Sequence, residues 1–390
     1  MTLIDSGDKM ANAIGIDYTP AYEQGAGIGR YVRELIAALA RIDSETKYKL
    51  FVAGAGQHKP LPASPGPNFS WHTTRLSPRW LARLWHKARI PYSVENWLGD
   101  IGLFHATDFV LPPVHRTTYT ILTVHDLSFV HVPQATSPRL KKYLDRVVPR
   151  SVLRADHVLA DSYATKDDLV ARYHTPPEKI TVLWGGVDQR FRHVSDAHQL
   201  AAVRARYGLG NWPFLLTVGT VQPRKNYVRL CEAVSRIIPA YPDIHLVIAG
   251  GKGWLDDPIY STVARLGLEE RIHFIGFVDD DDLPALYSMA EVVPYVSLYE
   301  GFGFPVLEAM ACGTPVVASN TSSIPEVTGD AAILVDPIDV DAITEALQTV
   351  LASPALQSAL KEKGLKQAAH FTWEDAARKL VEVYQATTAL

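Results

Sequence analysis

Two glutamates, Glu300 and Glu308, bracket the glycine- and phenylalanine-rich run GFGFPVL. Pro305 suits a first helical turn and Gly313 a position just past a helix end, which predicts a helix from about Phe304 to Cys312. Gly301 and Gly303 leave backbone uncovered at the start of that helix, where N–H groups and the helix dipole favour an anion. Carboxylates do not bind a phosphate, but they accept hydrogen bonds from hydroxyls on either side of one, such as a ribose and a sugar ring. The same pattern also describes a capped helix with two surface glutamates.

A second candidate is TVQPRKNYVRL (220–230), which follows the apolar run FLLTVG. Arg224 and Lys225 fall in a strand-to-helix turn, where Arg can grip a diphosphate bidentately and Lys acts as a point charge. A solvated Arg-Lys turn is the plain alternative. GAGIGRY (25–31) follows the first apolar run with glycines at 25, 27 and 29, a spacing that differs from the dinucleotide fingerprint. It brings backbone close to a phosphate or simply makes a tight turn. His105 and His125-Asp126 end two strands, where a histidine either satisfies a local hydrogen bond or polarises a reacting group. The Asp-x-Asp spacing of VDDDDLPALYSMA (278–290) reads as an acidic N-cap and first turn, and no other metal-site spacing is present, so no metal or cofactor is expected.

SPRWLARLWHKARIPY (77–92) places Arg79, Arg83 and Lys87 at i, i+4 and i+8, with Trp80, Leu81, Leu84 and Trp85 on an apolar face. That is the pattern of a helix in a membrane interface, or of one packed on its own domain with a basic outer face. PRLKKYLDRVVPRSVLR (138–154) adds six cations against one acid.

The elements that must position these groups alternate short apolar runs with amphipathic stretches from about Asn12. Strands are predicted at 13–18, 48–54, 102–107, 119–126 and 156–162, then at 214–219, 244–250, 272–277, 291–297, 315–319 and 332–336. Helical patterns between them give βαβ units and parallel sheets covered on both faces. A chain of 390 residues outgrows one core, and the pattern breaks near 186–196, so two doubly wound domains facing across a cleft are expected. Ligands then sit at the carboxyl ends of the strands. Residues 1–190 hold 23 Lys+Arg against 18 Asp+Glu and the rest 15 against 24, so a basic half joins an acidic one. No apolar run spans a bilayer, MTLIDSGDKMAN does not read as a secretory leader, and two lone cysteines fit a reducing cytoplasm. No nucleic-acid motif is present.

Taken in order, these motifs resemble the GT-B glycosyltransferases of family 4, over about residues 13–385. The most specific match is Glu300-GFGFPVL-Glu308 followed by EAMACGTPVVAS, then VGTVQPRKN (218–226), with IAGGKGW, FIGFV and VHDLSFVHVPQ in support. The resemblance implies an α/β GT-B fold of two Rossmann-like domains. Residues 12–190 would be the acceptor side, 191–370 the nucleotide-sugar side, and 371–390 a helix crossing back. It implies a retaining hexosyltransferase without a covalent intermediate. Glu308 would hold the ribose, Glu300 the donor sugar, and Gly303, Phe304, Pro305, Val306 and Leu307 the phosphate and sugar through their backbone. Arg224 and Lys225 would neutralise the diphosphate, Gly27, Ile28 and Gly29 would close over it, His125 would stand beside the sugar, and Val278 would line the donor site. Similarity to bacterial mannosyltransferases of surface polysaccharide, including lipopolysaccharide, makes GDP-mannose the expected donor and a lipid-linked glycan the acceptor. That acceptor would be reached at the inner membrane face through Arg79, Trp80, Arg83, Trp85 and Lys87. UDP-glucose or UDP-N-acetylglucosamine as donor, a UDP-sugar epimerase and a non-catalytic sensor are the alternatives. The chain departs from the family pattern at Trp184-Gly185-Gly186-Val187-Asp188 and in the position of Pro294 and Ser297.

Overall fold

The computed structural model describes residues 13–25, 27–56 and 59–389. The opening segment MTLIDSGDKMAN, read above for a leader, lies outside them. Seven strands form the first sheet: β1 (Ile14–Asp17), β2 (Tyr48–Ala53), β3 (Phe69–Thr74), β4 (Leu103–Ala106), β5 (Tyr119–Val124), β6 (His157–Ala160) and β7 (Ile180–Val182). They lie in the order β3-β2-β1-β4-β5-β6-β7, every pair parallel. Chain order reverses beside β1, so the loops after β1 and β4 diverge there and open a crevice. The central strands are apolar on both faces because helices cover both: Ile16, Leu50, Leu103 and Ile121 are wholly buried.

Six strands form the second sheet: β8 (Phe214–Val218), β9 (His245–Ala249), β10 (Ile272–Gly276), β11 (Val293–Tyr295), β12 (Val316–Ser319) and β13 (Ile333–Val335). Two parallel ladders, β10-β9-β8 and β11-β12-β13, meet where Leu215 pairs with Val292. Pro294 explains the thin seam. Val293 donates to Pro315 on the β12 side, so the next N–H, the one proline lacks, would have faced β8.

Both sheets aim their strand ends at a shared cleft. The chain crosses once after β7 and again near residue 371, where Val187 N–H donates to the Phe371 carbonyl across 3.0 Å. The last helix, Trp373–Thr388, shares the core of the first sheet. Its Trp373, Ala377, Leu380 and Tyr384 lie in one buried cluster with Tyr31, Leu35 and Leu39. Each large side chain buried there contributes about 1.5–3 kcal/mol. His105 is fixed by this docking. Its Nδ1 lies 2.8 Å from the Tyr384 hydroxyl and its Nε2 2.8 Å from Thr123 Oγ1, which makes it a core residue rather than a cleft residue.

Residues 77–92 differ from the single amphipathic helix expected. Ser77 caps an α-helical turn, Pro78–Ala82, that widens into a π-helical turn over Arg83–Lys87 and ends at Ala88. The extra residue in the π turn breaks the i, i+4, i+8 register of the three cations. Trp85 turns inward, donating from Nε1 to the Tyr92 carbonyl and packing edge-on to Trp97, while Trp80 remains 61% exposed under the Arg83 guanidinium. No helix among the described residues is long and apolar enough to cross a membrane.

Candidate active site

The cleft encloses a cavity of about 340 Å³. Its C-terminal wall holds Glu300, on the loop after β11, and Arg224 and Lys225, on the short turn after β8. The Glu300 carboxylate is 7% exposed and is gripped by both cations, at 2.5 Å from Arg224 Nη1 and 2.7 Å from Lys225 Nζ. Burial pushes its carboxyl up, but the two cations outweigh burial and hold it down at about 2. Lys225 also donates to the Tyr295 hydroxyl at 2.7 Å. Arg224 spends Nη1 on Glu300 and on the Tyr299 carbonyl, and its Nε and Nη2 have no hydrogen-bond partner among the described residues. Those are the donors available to an anionic ligand.

The helix Phe304–Ala311 starts at the cavity, with Gly303 (φ 115°) at its N-cap. Gly303, Phe304 and Pro305 line the cavity. Val306 and Leu307 do not line it. Their side chains are wholly buried in the core, and their N–H groups close onto the Gly303 carbonyl at 3.0 and 3.3 Å. Glu308 reaches the cavity one turn in and is 3% exposed. Its Oε2 accepts from the Tyr287 hydroxyl at 2.9 Å, and its Oε1 lies 2.9 Å from Arg30 Nη1. Neither glutamate is the surface residue that the plain reading allowed.

The opposite wall comes from the first sheet. Gly27 (φ 58°) and Ile28 line the cavity, but Gly29 does not. A Cβ at Gly29 would meet the Gln24 and Pro20 carbonyls at 2.3 and 2.7 Å, so that glycine exists for a close backbone crossing. His125 lines the cavity with both ring nitrogens committed: Nδ1 at 2.8 Å from Asp161 Oδ2, Nε2 at 2.8 Å from the Thr107 carbonyl. With Asp161 ionised, both acceptors call for N–H donors, the arrangement of an imidazolium. Burial works against that charge, yet Asp161 raises the group to about 9. Asp126 stands beside it, one oxygen held by Ser128 N–H at 2.7 Å. The Gly301 Cα rests against the His125 carbonyl, where a Cβ would come to 2.2 Å.

Val278 lines the cavity beside Asp280, while the rest of the acidic run departs from the N-cap reading. Asp282 sits at the N-cap of helix Leu283–Met289 but makes no side-chain cap; Arg206 and the Tyr207 hydroxyl hold it at 2.5 and 2.8 Å. Among the described residues no group of three or more His, Cys, Asp or Glu is placed to hold a metal ion. Arg79, Trp80, Arg83, Trp85 and Lys87 do not line the cavity. Sequence reasoning missed Arg30, Tyr287, Tyr295 and Asp161, and read Asp280 as part of a helix cap. Arg30 follows the Gly27–Gly29 loop directly and was the one with a local signal.

The two-sheet α/β scaffold thus brings a helix N-terminus, a cation pair and two buried carboxylates to one cleft. Residues 203–367 match the family of glycosyl transferases group 1 and residues 25–191 match glycosyltransferase family 4. The chain is 32% identical over 374 residues to an O-antigen chain mannosyltransferase B of Escherichia coli, covering 92% of this chain and 96% of the other. It is 31% identical over 305 residues to a D-inositol 3-phosphate glycosyltransferase of Salinispora arenicola, covering 74% and 66%. Its fold is that of a sucrose-phosphate synthase from Thermosynechococcus elongatus, with TM-score 0.74, 23% identity, and 97% and 99% covered. The chain belongs to the group 1, family 4 glycosyltransferases and has the GT-B fold.

Proposed function

We propose that the protein is a retaining hexosyltransferase that moves mannose from GDP-mannose to a hydroxyl of a lipid-linked or polysaccharide acceptor. The observation that carries this reading is the convergence of Arg224, Lys225 and Glu300 with Glu308 around one helix N-terminus. In it the diphosphate takes the free Arg224 donors and the helix end, the ribose takes Glu308, and the hexose takes Glu300. The acceptor oxygen bonds to the anomeric carbon on the face that the diphosphate leaves. The bond from that carbon to the phosphate oxygen breaks, and the acceptor proton passes to the departing diphosphate. Arg224 and Lys225 offset the charge that develops there, so the reaction as read needs no metal. His125, with both nitrogens spent, contributes its charge and its ring edge rather than a free nitrogen.

The mannosyltransferase relative supports mannose as the sugar. Asp280 supports guanine: a carboxylate matches the adjacent N1–H and N2–H donors of guanine, whereas uracil presents a single N–H. A UDP-sugar donor is the second reading, and the likeness to a D-inositol 3-phosphate glycosyltransferase leaves other hexoses in play. The inner membrane face is the proposed location. The helix Pro138–Arg154 supports it with an open depression of about 600 Å³ lined by Lys141, Lys142, Arg146 and Arg150.

Thermal shift and nucleotide release with GDP-mannose, UDP-glucose and UDP-N-acetylglucosamine test the donor. GDP-mannose alone should stabilise and turn over. Glu300→Gln should cut release by about 100-fold or more with nucleotide affinity little changed; unchanged turnover refutes the site, and stabilisation by UDP-sugars alone moves the donor to the second reading.

A further inference from the structure

Arg30, on the N-terminal wall of the cavity, reaches across to a carboxylate of the donor side. It belongs to the helix Ile28–Ile42, its Nη1 lies 2.9 Å from Glu308 Oε1 and 3.9 Å from Asp280, and its guanidinium stacks over Phe191 with 4.8 Å to the ring centre. Glu308 hangs from the second sheet and is almost fully buried. A buried carboxyl with no cation takes up a proton, and burial does push Glu308 up; Arg30 is the strongest influence opposing it.

The consequence lies in the lone pairs. An ionised carboxylate offers about four acceptor sites, two on each oxygen. Arg30 occupies one on Oε1 and the Tyr287 hydroxyl one on Oε2. One site on each oxygen is left, a pair matched to two neighbouring hydroxyls. A protonated Glu308 would lose that symmetry and present a donor where the diol needs an acceptor.

We propose that Arg30 is a positioning residue for the donor ribose, holding Glu308 in the orientation that receives a vicinal diol. Because Arg30 and Glu308 sit on helices packed on different sheets, the ribose subsite is complete only when the cleft is closed, and ribose binding and closure reinforce each other. This rests on the donor-site reading above, with Glu308 as the ribose carboxylate.

Calorimetric titration tests it with GDP, 2′,3′-dideoxy-GDP and inorganic diphosphate on the wild type, Arg30→Lys and Arg30→Ala. The wild type should favour GDP over its dideoxy analogue. Arg30→Ala should shrink that preference by about 10-fold or more, the scale of a charge-assisted contact, and Arg30→Lys should restore most of it. Inorganic diphosphate should bind all three proteins alike. Tighter GDP binding by Arg30→Ala would show a plug that the ribose must displace and would overturn the proposal. So would an unchanged preference, or an equal loss for diphosphate. A wild type that binds GDP without favouring the ribose removes Glu308 from the ribose but leaves the donor site standing, whereas one that binds neither GDP nor diphosphate refutes the donor site itself.

Discussion

His125 carries its charge inside the fold, and the cost of removing that charge is measurable. Its folded value of about 9 stands above the ordinary 6.5, so the stabilisation is complete below pH 6.5 and is lost as pH rises through about 9. Chemical unfolding of the wild type should lose up to about 3 kcal/mol across that window, and His125→Asn should lose less over the same range. Parallel profiles for the two proteins would show that the ring is not held as a cation. Glu300, Glu308, Arg224 and Lys225 were legible in the sequence because helix, turn and charge signals are local. Asp161, which fixes His125, lies 36 residues away in the chain. Tyr295, which shares Lys225 with Glu300, lies 70 residues from that lysine. Neither distance leaves a spacing to read.

At the scale of elements, the turn between β11 and the helix Phe304–Ala311 works through a missing side chain. Gly301 presses on the His125 carbonyl, a backbone atom that has nowhere to go. Gly301→Ala should therefore hold the two walls apart and lower turnover about 100-fold, the effect of displacing reacting groups by roughly 1 Å. Nucleotide affinity would change far less. Steady-state rates beside calorimetry check this, and full turnover by the variant would remove the contact from the closing geometry. Eleven strands matched runs of apolar residues, but β3 and β7 did not. Both lie at edges of the first sheet; β3 is half-exposed along FSWHTT and β7 is three residues long. An edge strand lacks the two buried faces that write an apolar run into the sequence. The π turn at Arg83–Lys87 escaped for another reason: the packing of Trp85 sets it, and no residue type announces it.

Across the whole molecule the two halves are clasped at several points besides Arg30. The Glu326 carboxylate accepts from the Tyr163 N–H at 2.9 and 3.0 Å and so caps, from the second sheet, a helix of the first. Tyr299 stacks on His131 at 4.8 Å and donates its hydroxyl to Asp168. Outside the cleft, the cations at 79–87 and 138–154 stay on the surface of the N-terminal half. Arg79/Arg83/Lys87→Glu should weaken binding to vesicles of anionic lipid by about 100-fold or more, at roughly 1 kcal/mol per removed cation. Co-sedimentation that is equal for the two proteins would dismiss membrane contact by this segment. The docking of Trp373–Thr388 beneath the first sheet also sets a schedule for synthesis. The apolar stripe of Tyr31, Leu35 and Leu39 is translated long before the helix that covers it. At 5–20 residues per second, roughly 15 to 70 s separate the two. Throughout that interval the nascent chain exposes an unfinished core, so the half that folds first on the ribosome is the one that waits longest for closure and has the greatest claim on a chaperone.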